Sequence, residues 1–293
     1  MKKFTVKKIT TAITVCAGLI FSCAANAESS VWKVSKNNDV VYVGGTIHIL
    51  PVSEFPLPAE FTDVYKMVDA IVLETELPDQ TDTNFQAQMM QKMSYANGKK
   101  LTDVLSKRTY QQLSEYMAGF GANLNDLSGF KPGFITTMMA MMEAQRSNIS
   151  GEGVDAYFNQ LAVKDNKGIE YLETITFQLE MLSNMGLGNE EAFMKSNLSQ
   201  MKDFKSIFTQ LIKAWRIGDE SALADIVITP MQEDPQTLKL LLSDRNKNWL
   251  PKIEKMFTDN DKEFVLVGAG HLVGDNSVLA LLEKRGYKVE KFK

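Results

Sequence analysis

The sequence predicts an α/β protein, of the α+β kind, with a mixed sheet built from two similar units at opposite ends of the chain. Three observations lead to this prediction. Within residues 28–83 and 261–293, short apolar runs of strand length alternate with helical segments. The intervening residues 84–260 have mainly helical periodicity and form a large helical insertion. An apolar run followed by Gly-x-x-His occurs in each terminal unit, which makes the two units pseudo-symmetric and able to share one sheet.

Composition places the chain among ordinary globular proteins. Of its 293 residues, 44% are hydrophobic and 23% are charged, which excludes disordered, collagen-like and coiled-coil proteins. No low-complexity linker interrupts the sequence, so we predict a single domain over residues 28–293. No basic cluster follows the N-terminal segment, and we therefore expect no nucleic-acid partner.

Residues 1–27 have the pattern of a secretory signal peptide. Four lysines precede an apolar stretch, and Ala25-Asn26-Ala27 is a small-x-small cleavage site. We therefore predict cleavage after Ala27 and a periplasmic or secreted mature chain. The four lysines leave 28 of the 32 basic residues in the mature chain, against 36 acidic ones, for a net charge of −8. No later stretch approaches the ~20 apolar residues of a membrane span, so the mature chain is expected to have no transmembrane anchor.

Both cysteines lie inside the predicted signal peptide. Cys16 and Cys23 would be removed with it, so the mature chain is expected to have no thiol nucleophile, disulfide or cysteine metal ligand. The alternative is a lipoprotein attached through Cys23. The bulky Phe21, where a small residue is usual, disfavours that alternative.

The N-terminal unit is predicted to contain a hairpin, a helix and a buried strand. Val31–Val34 and Val40–Gly44 are typical of two short strands joined by a polar turn. A proline-rich loop leads to a helix over Leu57–Asp69. The apolar run Ala70–Glu74 is then predicted to be a buried strand.

The rest of the chain continues with helices and returns to the same strand–helix–strand order. One strand, at about Gly168–Leu172, is predicted within the helical insertion. The C-terminal unit contains a strand over Glu263–Val267 and a final strand over Tyr287–Lys291, which follows Gly286. The predicted helices cover residues 106–117, 131–146, 153–164, 174–184, 189–216, 234–257 and 276–284.

The two histidines of the chain, His48 and His271, occur in the same local context. Each follows an apolar strand and the pattern Gly-x-x-His, and they are 223 residues apart. Glycine lets the backbone turn sharply and approach a ligand closely. Ligands of α/β sheets bind at the carboxyl ends of the strands. We therefore expect the two imidazoles to meet at one edge of the sheet, although a structural role for each histidine is the alternative.

Two neutral imidazoles suit Zn, Mn, Fe, Co or Ni. The best candidate for a third ligand is Glu74, at the end of the predicted strand Ile71-Val72-Leu73, with Glu76 as the spare carboxylate. A set of two histidines and one carboxylate would leave coordination positions open for water and substrate.

These residues carry a family resemblance. The chain resembles the TraB/GumN family, related to the Tiki proteins, through pieces that occur in the family's order over nearly the whole mature chain: Gly45-Thr46-Ile47-His48, Val72-Leu73-Glu74, Gly153-Val154-Asp155, Leu172-Glu173-Thr174 with Gln178, Arg245-Asn246 with Trp249, and Gly268-Ala269-Gly270-His271-Leu272. The resemblance implies a site made of the two Gly-x-x-His motifs and an acidic residue. It also implies the erythromycin-esterase and haem-binding ChaN-like fold, and a divalent metal such as Mn or Co. Zn fits the ligand types equally well.

Further residues are candidates for chemistry. Arg245 could hold a substrate carboxylate or stabilise an oxyanion, or be an exposed helix charge. Glu173 could be a general base or a surface residue, and Asn246 has no assigned role. Asp155 is expected to cap or begin a helix rather than to bind metal. Of the 16 methionines, Met138, Met141 and Met142 share a helical face. They are expected to fill the core or line a groove, with copper binding as the alternative.

Together these features predict a periplasmic metal-dependent hydrolase acting on a peptide or a small molecule, with a peptidase as one candidate. His48, Glu74 and His271 would bind Mn, Co or Zn, and Arg245 would orient the substrate. The alternatives are a metal, haem or small-ligand binding protein that uses the same pocket, and a regulator that binds partners through its Met-rich helices. The substrate and the oligomeric state do not follow from the sequence.

Overall fold

The computed structural model describes residues 28–79, 81–258 and 260–293. The predicted signal peptide, with both cysteines, lies outside the described residues. Within them the chain forms a six-stranded mixed sheet with strand order β4-β3-β5-β2-β1-β6. The strands are β1 (Val31–Lys36), β2 (Asp39–Thr46), β3 (Ala70–Leu73), β4 (Gly168–Tyr171), β5 (Glu263–Gly268) and β6 (Lys288–Lys291). This architecture confirms the predicted α/β fold class.

The sheet joins the two ends of the sequence through β5. This strand pairs in parallel with β2 on one side and with β3 on the other. Its residues Glu263 to Val267 are all buried. After Glu263 they are apolar, as expected for a parallel strand that is covered on both faces. The last strand, β6, is antiparallel to β1.

The helices cover both faces of the sheet and form a separate lobe. They are α1 (Ala59–Met67), α2 (Thr83–Met93), α3 (Lys107–Ala118), α4 (Leu124–Leu127), α5 (Pro132–Arg146), α6 (Val154–Asp165), α7 (Ile175–Asn184), α8 (Glu190–Gln200), α9 (Phe204–Arg216), α10 (Glu220–Met231), α11 (Pro235–Leu238), α12 (Asp244–Lys255) and α13 (Val278–Glu283). One core contains Phe61, Phe158 and Trp215. A second, on the opposite face, contains Trp249 and Leu282.

The predicted segments match these elements closely, with three differences. The segment 189–216 is two helices, because a short 3-10 turn over Met201–Asp203 separates α8 from α9. The segment 234–257 contains five residues of π-helix, Lys239–Ser243, immediately before α12. The helices α2, α4 and α10 lie outside the predicted helical segments.

The Met-rich region forms the core of the helical lobe. Met117, Met139 and Met194 are fully buried there with Leu113 and Ile135. This agrees with the expected use of methionine as an adaptable core residue. Of the three methionines predicted to share a buried face, Met138 and Met142 pack against this core, whereas Met141 is 60% exposed. No helix in the described part of the chain has the length and apolar character needed to cross a membrane.

Candidate active site

The predicted site residues come together at the carboxyl edge of the parallel strands. His48 follows β2, Glu74 follows β3 and His271 follows β5, and these three strands are neighbours in the sheet. Gly268, the last residue of β5, lies at the centre. A Cβ atom built on it would be 3.3 Å from Glu74 Oε1, 3.6 Å from His48 Nε2 and 3.7 Å from His271 Cδ2. The absence of a side chain at this position thus leaves a small space that all three residues border.

His48 is oriented by Asp155 and faces solvent. Its Nδ1 lies 3.1 Å from Asp155 Oδ1, and 60% of its side chain is exposed. Asp155 lies in the first turn of α6, which confirms the expected helix start. Its contact with His48 is a long-range pairing that local sequence does not indicate. The packing of Gly153 explains the contact, since a Cβ there would lie 2.3 Å from the His48 carbonyl oxygen.

Opposing effects act on the protonation of His48. Desolvation lowers the pKa of its imidazole, but the charge and hydrogen bond of Asp155, and then the charge of Glu74, outweigh it and raise the pKa to about 9. Because the ring is largely exposed, solvent weakens every one of these effects.

Glu74 is buried and held in its ionised form. Gly268 N donates to its Oε1 at 2.7 Å, while Gln178 Nε2 at 3.2 Å and Arg245 Nη2 donate to its Oε2. Burial alone would raise the pKa of this carboxyl. The neighbouring imidazoles, the guanidinium and the Gly268 N–H outweigh burial and lower the pKa to about 2.

Arg245 is buried with all five of its N–H groups directed at protein acceptors. Its Nε donates to Glu173 at 3.0 Å, and its Nη2 donates to both Glu173 and Glu74. Its Nη1 donates to the Leu241 carbonyl at 3.1 Å and lies 3.0 Å from His271 Nε2. In this arrangement no N–H of Arg245 is left for a substrate. The side chain instead balances the charge of two buried carboxylates.

The contacts of His271 define its tautomer. A guanidinium can only donate, so His271 Nε2 must accept from Arg245 and the proton must lie on Nδ1. Nδ1 donates to Asn246 Oδ1 at 2.5 Å, and Asn246 Nδ2 in turn donates to the Asn276 carbonyl at 2.8 Å. Burial is the largest effect and lowers the pKa of His271. The charge of Glu74 raises this pKa, but the positive charges of Arg245 and His48 lower it again, so that the pKa is about 3. His271 is therefore a neutral imidazole.

Glu173 and Gln178 complete the polar cluster. Glu173 accepts from Trp249 Nε1 at 3.0 Å and from Gln178 Nε2 at 2.9 Å. Gln178 thereby bridges the two carboxylates. Glu173, a candidate general base or surface residue from the sequence, is instead a buried partner of Arg245. The spare carboxylate, Glu76, is exposed and takes no part in the cluster.

The arrangement fits a divalent cation in part. His48 Nε2 and Glu74 Oε1 both border the space beside Gly268, and an imidazole nitrogen with a carboxylate oxygen is a common ligand pair. His271 borders the same space with a carbon atom, because its Nε2 is held by Arg245. Across residues 28–79, 81–258 and 260–293, no three His, Cys, Asp or Glu side chains are arranged to hold a metal.

A cleft opens in front of this cluster. It has a volume of about 250 Å³ and is lined by His48, Leu73, Glu74, Thr75, Leu77, Asp155, Gln178 and Leu266. His48, Glu74 and Asp155 supply polar groups to this cleft, and Leu73, Leu77 and Leu266 supply its apolar part. Such a cleft can hold an apolar group next to a reacting carbonyl.

Fold and site together define an α/β protein with a buried polar cluster at the carboxyl edge of its sheet. A sequence model of the TraB/PrgY/gumN family matches residues 30–291, and the chain belongs to this family. An uncharacterized protein of Treponema pallidum (strain Nichols) is 22% identical over 286 residues, which cover 92% of this chain and 84% of that protein.

A second relative has a named activity. Metalloprotease TIKI2 of Xenopus tropicalis is 22% identical over 319 residues, covering 89% of this chain. The match spans 59% of that relative's length. No solved structure matches the chain.

Proposed function

We propose that this protein is a hydrolase, active in the periplasm or after secretion, that attacks a carbonyl group with water activated by His48. One observation carries the proposal: His48 Nε2 and Glu74 Oε1 border a single space beside Gly268, while Asp155 holds the opposite nitrogen of His48. An imidazole oriented by a carboxylate is the usual form of a general base. The likeness to a metalloprotease supports the same reaction class.

The other residues of the cluster prepare this base. Asp155 fixes the direction of the imidazole and stabilises it when it takes a proton from water. Glu74 remains ionised because Arg245 and Gly268 N donate to it. Its charge stabilises protonated His48 as well. Arg245 and His271 are positioning residues, since they contact Glu74 and each other but not the cleft.

A divalent cation, Mn, Co or Zn, belongs to this proposal. His48 Nε2 and Glu74 Oε1 are the atoms that would hold it, and His271, the third predicted ligand, is engaged by Arg245. With such an ion bound, His48 Nε2 would be a ligand and could not accept a proton, so the ion rather than the imidazole would lower the pKa of water, and it would polarise the substrate carbonyl.

The test is hydrolysis of chromogenic esters and peptides by residues 28–293, stripped with chelator and assayed with and without Mn, Co or Zn. We expect His48→Ala to lose activity by about 100-fold or more, the usual contribution of a general base. Lys66→Ala, an exposed change on α1, is the matched control. Equal turnover by the His48→Ala variant would refute the proposal. Ligand binding without turnover in the unmodified protein would instead support the non-catalytic alternative.

A further inference from the structure

The sheet ends at β4, whose outer edge is open. Among the strands that the structure describes, β4 pairs with β3 alone. The N–H groups of Gly168 and Leu172 donate to carbonyls of the β3 segment at 3.3 and 2.9 Å. In a parallel ladder the intervening residues point the other way. The N–H and C=O groups of Ile169 and Tyr171 therefore face outward, and no hydrogen bond joins them to another residue in the described ranges.

This open edge leads to the candidate active site. Strand β4 runs parallel to β3 and ends two residues before Glu173, the partner of Arg245. Three large apolar side chains are exposed in this region: Tyr171 (40%), Leu77 (39%) and Phe177 (38%). Leu77 lines the cleft, and Phe177 precedes Gln178, which lines it too. An exposed apolar patch beside a cleft is typical of a binding surface.

The charges near this edge are of both signs. Glu170 in β4 and Glu76 after β3 are exposed, while Lys167 and Lys252, at the two ends of β4, donate to the Val68 and Leu172 carbonyls. The edge therefore suits a ligand whose central segment is neutral and apolar. The opposite edge of the sheet differs. In β6, Lys288 and Glu290 form an ion pair at 2.8 Å, and charged side chains of this kind discourage strand pairing. Of the two sheet edges in the described residues, β4 is thus the one that combines outward backbone groups with exposed apolar side chains.

We propose that β4 binds an extended polypeptide with apolar side chains as an additional strand and directs it toward the cleft. Strand addition uses the backbone hydrogen bonds for affinity and the alternate side chains for selectivity. The apolar side chains of the bound peptide would contact Tyr171, Leu77 and Phe177. This inference rests on the proposed function, because it names a peptide rather than a small molecule as the substrate of the same site.

The test is peptide binding measured by fluorescence anisotropy with the His48→Ala variant, which leaves the peptide uncleaved. The probe is a fluorescein-labelled peptide of alternating valine and threonine with a lysine at each end. Adding Ile169→Pro to the His48→Ala variant removes one outward-facing N–H group of β4. The hydrogen bonds between β4 and β3 remain, since proline is tolerated on edge strands. We expect binding to weaken about tenfold, the effect of one or two hydrogen bonds. Ile169→Val, which keeps the N–H, is the matched control and should bind normally.

A second measurement does not depend on the folding of the proline variant. The same peptide, N-methylated at alternate amides, cannot pair as a strand and should lose binding to the unmodified edge. Equal binding of methylated and unmethylated peptides, or no binding of either, would overturn the inference. Ester hydrolysis separates this inference from the proposed function. Esterase activity in a protein that binds methylated and unmethylated peptides equally refutes only the role of β4. Peptide binding that depends on strand pairing, without any hydrolysis, refutes only the proposed function.

Discussion

At the scale of single residues, the two histidines have opposite environments although their sequence contexts are alike. His48 is exposed and paired with an aspartate, whereas His271 is buried between an arginine and an asparagine. The shared Gly-x-x-His pattern predicts the position of both rings at the sheet edge. It does not encode their protonation, which depends on Asp155, Asn246 and Arg245, residues 25 to 107 positions away in sequence.

This difference can be measured directly, because residues 28–293 contain only these two histidines. In an NMR titration, the His48 ring signals should shift with a pKa above 6.5, since Asp155 and Glu74 favour the protonated form. The His271 signals should remain those of the neutral Nδ1–H tautomer down to about pH 4, because its pKa is lowered to about 3. Identical titration of both rings would contradict the geometry.

Replacing the partner of His48 should change its pKa and its action as a base. In Asp155→Asn the carboxylate charge is lost, so the pKa of His48 should fall toward its ordinary value and the acid limb of the pH–rate profile should move to lower pH. We expect the rate to fall about 10- to 100-fold, because the imidazole loses its orienting carboxylate. Asp165→Asn, near the opposite end of α6, is the control and should leave the pH profile unchanged.

At the scale of elements, the turn after β5 forms the floor of the site. Gly268 has φ of −50° and ψ of 135°, which alanine also adopts, so Gly268→Ala should fold. Its methyl group would occupy the space between Glu74 Oε1 and His48 Nε2. We therefore expect the variant to lose catalysis and metal binding, with a stability loss within about 1 kcal/mol. Calorimetric metal titration and thermal unfolding measure the two effects, and retained metal binding would refute the placement of the site.

The elements could be predicted from the sequence where local pattern decides structure. The buried strands β3 and β5 are continuous apolar runs, and the hairpin has a polar turn. The π-helical turn Lys239–Ser243 could not be predicted. No local signal marks it, yet it immediately precedes the helix that carries Arg245. π-Helical turns recur at functional sites. The hydrogen bonds of Arg245 to Glu173 and Glu74 could not be predicted either, because they depend on long-range packing that hydrophobic periodicity does not report.

At the scale of the whole molecule, the buried cluster links stability to pH. The lowered pKa values of His271 and Glu74 contribute stability that is complete above about pH 6.5 and is lost as the pH falls toward 3 and 2. The raised pKa of His48 acts in the opposite sense and costs stability as the pH rises toward 9. We therefore expect the unfolding temperature to be highest near pH 6.5.

Substitution of His271 should separate these contributions. Because glutamine has no titratable group, His271→Gln should flatten the decline in unfolding temperature between pH 6.5 and pH 4.5, where Glu74 is still ionised. Scanning calorimetry across this range measures the effect. An unchanged slope in the variant would show that His271 does not titrate on unfolding as the structure requires.

The position of β5 has a consequence for how the chain acquires its structure. This strand separates β2 from β3 in the sheet but lies more than 180 residues after them in sequence. Until Glu263–Gly268 has been synthesised, β2 and β3 have no strand between them. The growing chain therefore cannot complete the sheet on the ribosome before β5 has emerged, and the joining of β2 to β3 waits for that strand.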